Sequence, residues 1–238
     1  MKNTTVISHP LIDHNLVRLR DETTPPEEFR RALGEVAMLM VYEATRNFEQ
    51  KTVSVQTPVA KTRGKQLKRE VLLVPVLRAG LGMLEPLLQL IPHARVGFVG
   101  LKRNEDTLEA ATYHKSLPEK LGPFEIIVMD PMLATGNSSV AAIDLMKKAG
   151  ATNIRFLCLL AAPEGIARMT EAHPDVPIVT AAVDWQIHRP SGPRRSEALT
   201  GSAPLAFTRR PPNPSTRPWP RASSTSTRRS PTAGSATC

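Results

Sequence analysis

The segment EIIVMDPMLATGNS, residues 125–138, has the pattern of an anion-binding turn between a strand and a helix. Its last four residues would offer backbone N–H groups, hydroxyls and a helix N-terminus to a phosphate. Gly136 within the turn permits a positive φ or the close approach of a ligand. Asp130, where the apolar run ends, would accept hydrogen bonds from sugar hydroxyls. The competing interpretation is a strand, a turn and a capped helix that bind no ligand.

An alternation of strands and helices is predicted around this turn. Pro25 to Asn47 has the three-to-four spacing of an amphipathic helix. Because the apolar runs are continuous, they suit strands buried on both faces of a parallel sheet, where ligands bind at the carboxyl ends. The predicted strands are residues 71–76, 94–101, 124–129, 154–160 and 176–182. The further predicted helices are residues 80–90, 138–149 and 165–172. Two β-rich pieces, residues 51–58 and 107–115, are expected to form a flap or hairpin.

The positive charge of the chain is concentrated at its C-terminal end. The formal net charge is +9, but residues 185–238 contain nine Arg and one acid, Glu197, so the preceding part is close to neutral. This Pro-, Arg-, Ser- and Thr-rich segment has no helical or strand period and is expected to be a disordered tail following a single domain, residues 1–184. Without RGG repeats or regular aromatic residues, a nucleic-acid partner is not expected.

The remaining composition favours a cytoplasmic protein. Cys158 and Cys238 are the only cysteines, which gives neither a disulfide framework nor a zinc cluster. The N-terminus lacks the apolar stretch of a signal peptide, and no run has the roughly 20 apolar residues of a membrane span. We therefore expect no membrane association.

Three segments resemble motifs of the uracil phosphoribosyltransferase family. DPMLATG, residues 130–136, resembles the family's version of the signature that binds 5-phosphoribosyl-1-diphosphate (PRPP), with Pro131 where most related enzymes have a second acid. VPVLRAGLGM, residues 74–83, resembles the diphosphate loop. VGLKRNEDTLE, residues 99–109, resembles the segment whose arginine closes over the diphosphate. The resemblance runs from about Ile7 to Asp184.

The resemblance implies roles for the matched residues. Arg78 and Arg103 would bind the diphosphate and Asp130 would orient the ribose, so these three are the candidate catalytic residues. The other charged residues among positions 102–106 are interpreted as solvent-exposed surface charges and not as ligands of the diphosphate. The implied PRPP-binding set is Arg78, Arg103, Asp130, Pro131, Met132, Leu133, Ala134, Thr135, Gly136, Asn137 and Ser138.

The resemblance also implies a fold, a reaction and partners. The fold would be α/β, a parallel-sheet phosphoribosyltransferase fold with flanking helices and a β-hairpin flap. The activity would be that of a pentosyltransferase, which converts uracil and PRPP to UMP and diphosphate in pyrimidine salvage. Mg²⁺ would arrive with PRPP and not occupy a protein metal site, since it retains water and prefers hard oxygen ligands. GTP activates some relatives and is a candidate allosteric activator here, and a homo-oligomer, a dimer or higher, is expected.

One family segment is not recognisable. Relatives follow the last strand with NxxGYIxPGLGDAGD, whose backbone pairs with the uracil edge, whereas here Asp184 is followed by WQIHRPSGPRR. The uracil-binding residues are therefore not predicted. A shifted reading frame in a GC-rich gene would produce such a tail, and a divergent tail is the alternative explanation. The alternative function is a catalytically defective or regulatory protein that binds PRPP or a nucleotide.

Overall fold

The structure, a computed structural model, describes residues 3–103 and 110–184. Residues 185–238, where the disordered tail is predicted, lie outside the described residues. The elements in chain order are β1 Thr4–Val6, α1 Pro10–Arg20, α2 Pro26–Ala44, β2 Gln50–Gln56, β3 Lys61–Leu67, β4 Glu70–Leu77, α3 Leu81–Leu90, β5 Arg95–Val96, β6 Phe98–Arg103, β7 Ala110–Ser116, β8 Phe124–Met129, β9 Met132–Leu133, α4 Asn137–Lys148, β10 Ile154–Ala161, α5 Pro163–Ala172 and β11 Ile178–Val183.

A mostly parallel sheet forms the centre of the fold. Its strand order is β1-β11-β10-β8-β4-β6-β7, with β5 beside β4 and β9 beside β10. The pairs along this path are parallel except for the last, because β7 runs antiparallel to β6. The predicted α/β fold with a parallel sheet is confirmed.

Helices cover both faces of the sheet. Alternate residues of a strand point to opposite faces, so Leu73 and Leu157 pack with α1, α2 and α3, while Val74 and Phe156 pack with α4 and α5. Each of these four side chains is fully buried. The double burial explains why the strands appear in the sequence as continuous apolar runs.

Two predicted elements differ from the structure. The predicted strand 94–101 is divided into β5 and β6 at Gly97, where a Cβ would lie 2.8 Å from Cδ2 of Leu117. The predicted helix Pro25–Asn47 ends at Ala44, and the hydroxyl of Thr45 donates to the carbonyl of Val41 at 2.9 Å. The first difference divides a strand, whose second part continues to Arg103, and the second shortens a helix.

The predicted flap corresponds to two separate structures. Strand β2, which overlaps the first β-rich piece, pairs with β3 in an antiparallel hairpin, although the sequence did not predict β3 as a strand. Strand β7, which overlaps the second piece, joins the main sheet beside β6. The prediction also omitted β1 and α1. Residues 104–109 lie outside the described residues.

Candidate active site

Three neighbouring strands end at the same edge of the sheet and carry the three predicted catalytic residues. Asp130 directly follows β8, Arg78 directly follows β4, and Arg103 is the last residue of β6. The strands are adjacent in the order β8-β4-β6. Because adjacent strands lie ~4.8 Å apart, this topology brings the ends of the predicted segments together.

Asp130 is a buried carboxyl group without a charged partner among the described residues. It is 9% exposed, its N–H donates to the carbonyl of Leu157 at 3.1 Å, and Oδ1 accepts from the N–H of Met132 at 3.4 Å. Burial raises the pKa of the Asp130 carboxyl to about 7, and the Met132 hydrogen bond opposes this only in part. Most of the hydrogen-bonding capacity of the carboxylate is therefore available to a ligand.

The turn after Asp130 is held by backbone contacts. The carbonyl of Pro131 accepts from Leu159 and Leu160 at 3.0 and 3.1 Å, and β9 pairs with the end of β10. Gly165 of α5 lies directly against the turn, since a Cβ there would be 2.7 Å from the carbonyl oxygen of Leu133 and would also meet that of Ala134. Pro131 and Leu133 are buried, and Met132 and Ala134 are half-buried, so these four residues contribute mainly the backbone path.

The turn ends at the N-terminus of α4. Gly136 caps this helix with a φ of 79°, a left-handed conformation that favours glycine, and it supplies no capping side chain. The first N–H groups of a helix have no acceptor within the helix, so those of α4 are available to an anion. Thr135 is exposed, while Asn137 and Ser138 are half-buried at the start of the helix. Residues 135–138 therefore form a turn into a helix N-terminus, and their binding of an anion stays a prediction.

Two polar residues near this turn were not predicted from the sequence. Oγ of Ser139 is buried and has no hydrogen-bond partner within the described part of the chain, as is also true of Oδ1 of Asn137. Arg168 of α5 is exposed beside the turn, where a Cβ on Gly136 would lie 3.4 Å from its Cβ. Only the contact between α5 and the turn identifies Arg168, so the sequence contained no signal for it.

The loop that carries Arg78 folds back towards Asp130. Arg78 is exposed and follows a cis peptide bond from Leu77. The N–H of Gly80 donates to the carbonyl of Val76 at 2.9 Å, and a Cβ on Gly80 would lie 2.6 Å from the carbonyl oxygen of Met129. Glycine is thus required where the loop crosses the end of β8. This crossing places the Arg78 loop next to the residue that precedes Asp130.

Arg103 is placed by its backbone alone. It pairs with Ala110 across the antiparallel β6–β7 ladder, two strands away from β8. Its predicted contact with the diphosphate stays a prediction, because the structure describes neither its side chain nor residues 104–109.

One cleft among the described residues lies elsewhere. It measures ≈ 440 Å³ and is situated between the end of α2, the base of the β2–β3 hairpin and the end of α3. Its lining comprises Tyr42, Thr45, Arg46, Phe48, Gln50, Leu67, Leu90 and Ile91, none of which belongs to the predicted site.

Comparison with solved structures defines the class of protein. The structure matches that of the AQ2163 protein from Aquifex aeolicus with a TM-score of 0.71 and 38% identity, covering 76% of this chain and 87% of that one. It also matches adenine phosphoribosyl transferase from Trypanosoma brucei in complex with AMP, pyrophosphate and ribose-5-phosphate, with a TM-score of 0.51 over 79% of this chain and 91% of that one. At 14% identity the second likeness shows the fold alone. The fold is that of the phosphoribosyltransferases.

Sequence comparison then identifies the family. The profile of uracil phosphoribosyltransferases matches residues 6–191. Uracil phosphoribosyltransferase of Paracoccus denitrificans (strain Pd 1222) is 54% identical over 184 residues, which is 77% of this chain and 87% of that protein. The chain belongs to the uracil phosphoribosyltransferase family.

Proposed function

We propose that this chain is a pentosyltransferase that converts uracil and PRPP to UMP and diphosphate. The observation that carries the proposal is the single edge of the sheet at which Asp130, the 131–138 turn and the Arg78 loop meet, in a member of this family. Relatives more than 50% identical are named as this enzyme, which favours catalysis over the non-catalytic alternative.

PRPP would bind with its two ends at different loops. The N–H groups and hydroxyls of residues 135–138 would hold the 5-phosphate, with residues 131–134 supplying the backbone path. Asp130 would accept hydrogen bonds from the ribose hydroxyls, because its carboxylate has no competing cation among the described residues. Arg78 and Arg103 would bind the diphosphate through their guanidinium groups.

The reaction breaks the bond between the ribose C1 and the diphosphate, while N1 of uracil forms the new bond and loses its proton. Negative charge develops on the leaving diphosphate, so cations aimed at that position stabilise the transition state more than the ground state. Arg78 and Arg103 are proposed for this role. Bound with PRPP, Mg²⁺ would add positive charge at the same place.

We propose that PRPP, and not a site on the protein, carries the magnesium ion, because Mg²⁺ prefers hard oxygen ligands and retains water. No three His, Cys, Asp or Glu side chains converge on one point within the described residues. Mg²⁺ keeps much of its water and binds through phosphate oxygens in many enzymes of phosphate chemistry. PRPP would therefore supply the oxygens, and no residue of this chain is assigned as a metal ligand.

A homo-oligomer is proposed from the β2–β3 hairpin. Its residues are almost all exposed, including Val55 at 41% and Val59 at the tip at 94%. A two-stranded hairpin is at best marginally stable by itself, so a partner surface would stabilise it. Sedimentation velocity should give a dimer or a larger assembly, and a monomer at micromolar concentration would contradict the proposal.

Three further properties are proposed from the family resemblance. GTP would activate the enzyme allosterically, and adding GTP to the UMP assay tests this. Residues 1–184 would be the catalytic domain, with residues 185–238 as the tail. A cytoplasmic location is also proposed; no helix among the described residues is long and apolar enough to cross a membrane.

Labelled uracil with Mg-PRPP tests the proposed activity. UMP should form with the full chain, and Arg103→Ala should reduce its formation at least a hundredfold because the diphosphate would lose a cation in the transition state. Lys120→Ala is the matched control, since it removes an exposed cation from the loop before β8, at the opposite end of that strand. Binding of PRPP without any UMP would instead support the non-catalytic alternative.

A further inference from the structure

One arginine side chain crosses the start of helix α4, where the 5-phosphate of PRPP is proposed to bind. A Cβ built on Gly136, the cap of α4, would lie 3.4 Å from Cβ and 3.5 Å from Cδ of Arg168. The side chain therefore runs along this end of the helix from its Cβ to its Cδ. Because the guanidinium group is attached to Cδ, it lies within reach of an anion held at the N–H groups that begin α4.

The packing of helix α5 fixes the position of Arg168. The first turn of α5 lies directly on the turn before α4 at Gly165, where there is no room for a side chain. Ile166 and Met169 are buried in the same apolar core as the inner side of α4. The backbone at Arg168 is thus fixed relative to Gly136, while the Arg168 side chain is exposed.

The Arg168 guanidinium is available to a ligand. It takes part in none of the ion pairs among residues 3–103 and 110–184. Glu164 and Glu171 lie about one turn away on the same helix, at spacings that allow an ion pair, but neither is paired with it. The positive charge is therefore not neutralised by a carboxylate within the described part of the chain.

The other elements around the turn supply no cation close to it. Strands β8 and β9 contain no Lys or Arg, and the cations of α4 are Lys147 and Lys148 in its last turn. At a rise of ~1.5 Å per residue these lie about 15–17 Å from the start of the helix, beyond the Debye length of ~8 Å in physiological salt. Lys147 is also paired with Asp175 at 2.6 Å. A phosphate monoester carries a charge of about −1.5 to −2 at pH 7, so a nearby cation would stabilise it.

Resting on the proposed function, we propose that Arg168 binds the 5-phosphate of PRPP and makes the site specific for 5-phosphorylated ribose. Arginine donates charge-assisted hydrogen bonds to phosphate oxygens, often two at once. The N–H groups of residues 135–138 would hold one side of the phosphate, and Arg168 would hold the side that faces α5. The 5-phosphate keeps its charge throughout the reaction, so Arg168 contributes to binding and not to the departure of the diphosphate.

Calorimetric titration with Mg-PRPP and with ribose 5-phosphate tests the proposal. Arg168→Ala should weaken the binding of both ligands about five- to tenfold, because both carry the 5-phosphate. Arg78→Ala should weaken the binding of Mg-PRPP alone, since ribose 5-phosphate has no diphosphate. The loss in Arg168→Ala should become smaller between about 50 and 500 mM salt, and Arg168→Lys should restore part of the affinity. An Arg168→Ala protein that binds both ligands like the wild type would overturn the proposal.

Lys148→Ala is the matched control, because it removes an exposed cation from the opposite end of α4. It should change both affinities less than about twofold, and a loss equal to that of Arg168→Ala would contradict a local contact with the phosphate. Both replacements are at exposed helical positions, where alanine favours the helix, so both proteins should fold.

The UMP assay separates this proposal from the proposed function. Arg168→Ala should raise the KM for PRPP about five- to tenfold with little change in kcat, whereas Arg103→Ala should lower kcat. A wild type that forms UMP, together with an unchanged KM in Arg168→Ala, would refute the role of Arg168 alone. A wild type that neither binds Mg-PRPP nor forms UMP would refute the proposed function as well.

Discussion

Replacing Asp130 by asparagine should stabilise the folded protein while abolishing UMP formation. The folded pKa of about 7 against an ordinary value of 3.8 corresponds to about 4 kcal/mol of folding free energy that ionisation of this buried carboxyl removes. Since the folded pKa is raised, the stability is fully present below pH 3.8 and is lost as the pH rises through about 7. Asparagine keeps the shape but carries no charge.

Urea unfolding at two pH values measures this effect. Asp130→Asn should raise the free energy of unfolding by about 4 kcal/mol at pH 8 but by only about 2 kcal/mol at pH 5. At pH 5 the wild-type carboxyl is neutral in the folded state and ionised only in the unfolded state, so part of the penalty is absent. Glu119→Gln, an exposed carboxyl in the loop before β8, is the control and should change stability by less than about 0.5 kcal/mol. Equal or lower stability of Asp130→Asn at pH 8, or the same gain at both pH values, would refute the reasoning.

Two further predictions use matched pairs of residues. Gly136→Ala and Gly150→Ala should each lower the free energy of unfolding by about 1–2 kcal/mol, because both glycines have a positive φ. Only Gly136→Ala should weaken PRPP binding in calorimetry. Equal binding by both variants would show that the turn is not part of the site. Arg155→Ala should cost about 3–5 kcal/mol in urea unfolding, because it leaves Glu125, whose side chain is 6% exposed, without its partner at 3.0 Å. Arg95→Ala breaks an exposed pair of 2.9 Å and should cost less than about 1 kcal/mol, so similar losses for the two arginines would contradict the burial argument.

Local sequence predicted the elements whose burial is uniform. Strand β8 begins and ends where its apolar run does, at Phe124 and Met129, since both faces are buried. Strand β3, in contrast, has the polar sequence KTRGKQL and is defined by its pairing with β2, so its composition gave no strand signal. Helix α1 is absent from the prediction although Ile12, Leu16 and Leu19 follow a helical period, so its sequence does contain a local signal.

Part of the candidate site was likewise predictable from local sequence, and part was not. The turn after Asp130 was predictable because its chemistry lies in consecutive residues, from the strand end to the helix N-terminus. The contact of Gly165 with the turn depends on how α5 packs, and the position of Asp130 beside β10 depends on the register of β8 against β10. Neither follows from local pattern, since long-range pairing determines both.

A crystal structure of the full chain with Mg-PRPP tests the central claim most directly. The 5-phosphate should lie against the N–H groups of residues 135–138, the ribose hydroxyls should contact Asp130, and Arg78 and Arg103 should both face the diphosphate. PRPP bound at another place, or a pocket left empty at saturating PRPP with the two arginines directed away from each other, would contradict the account.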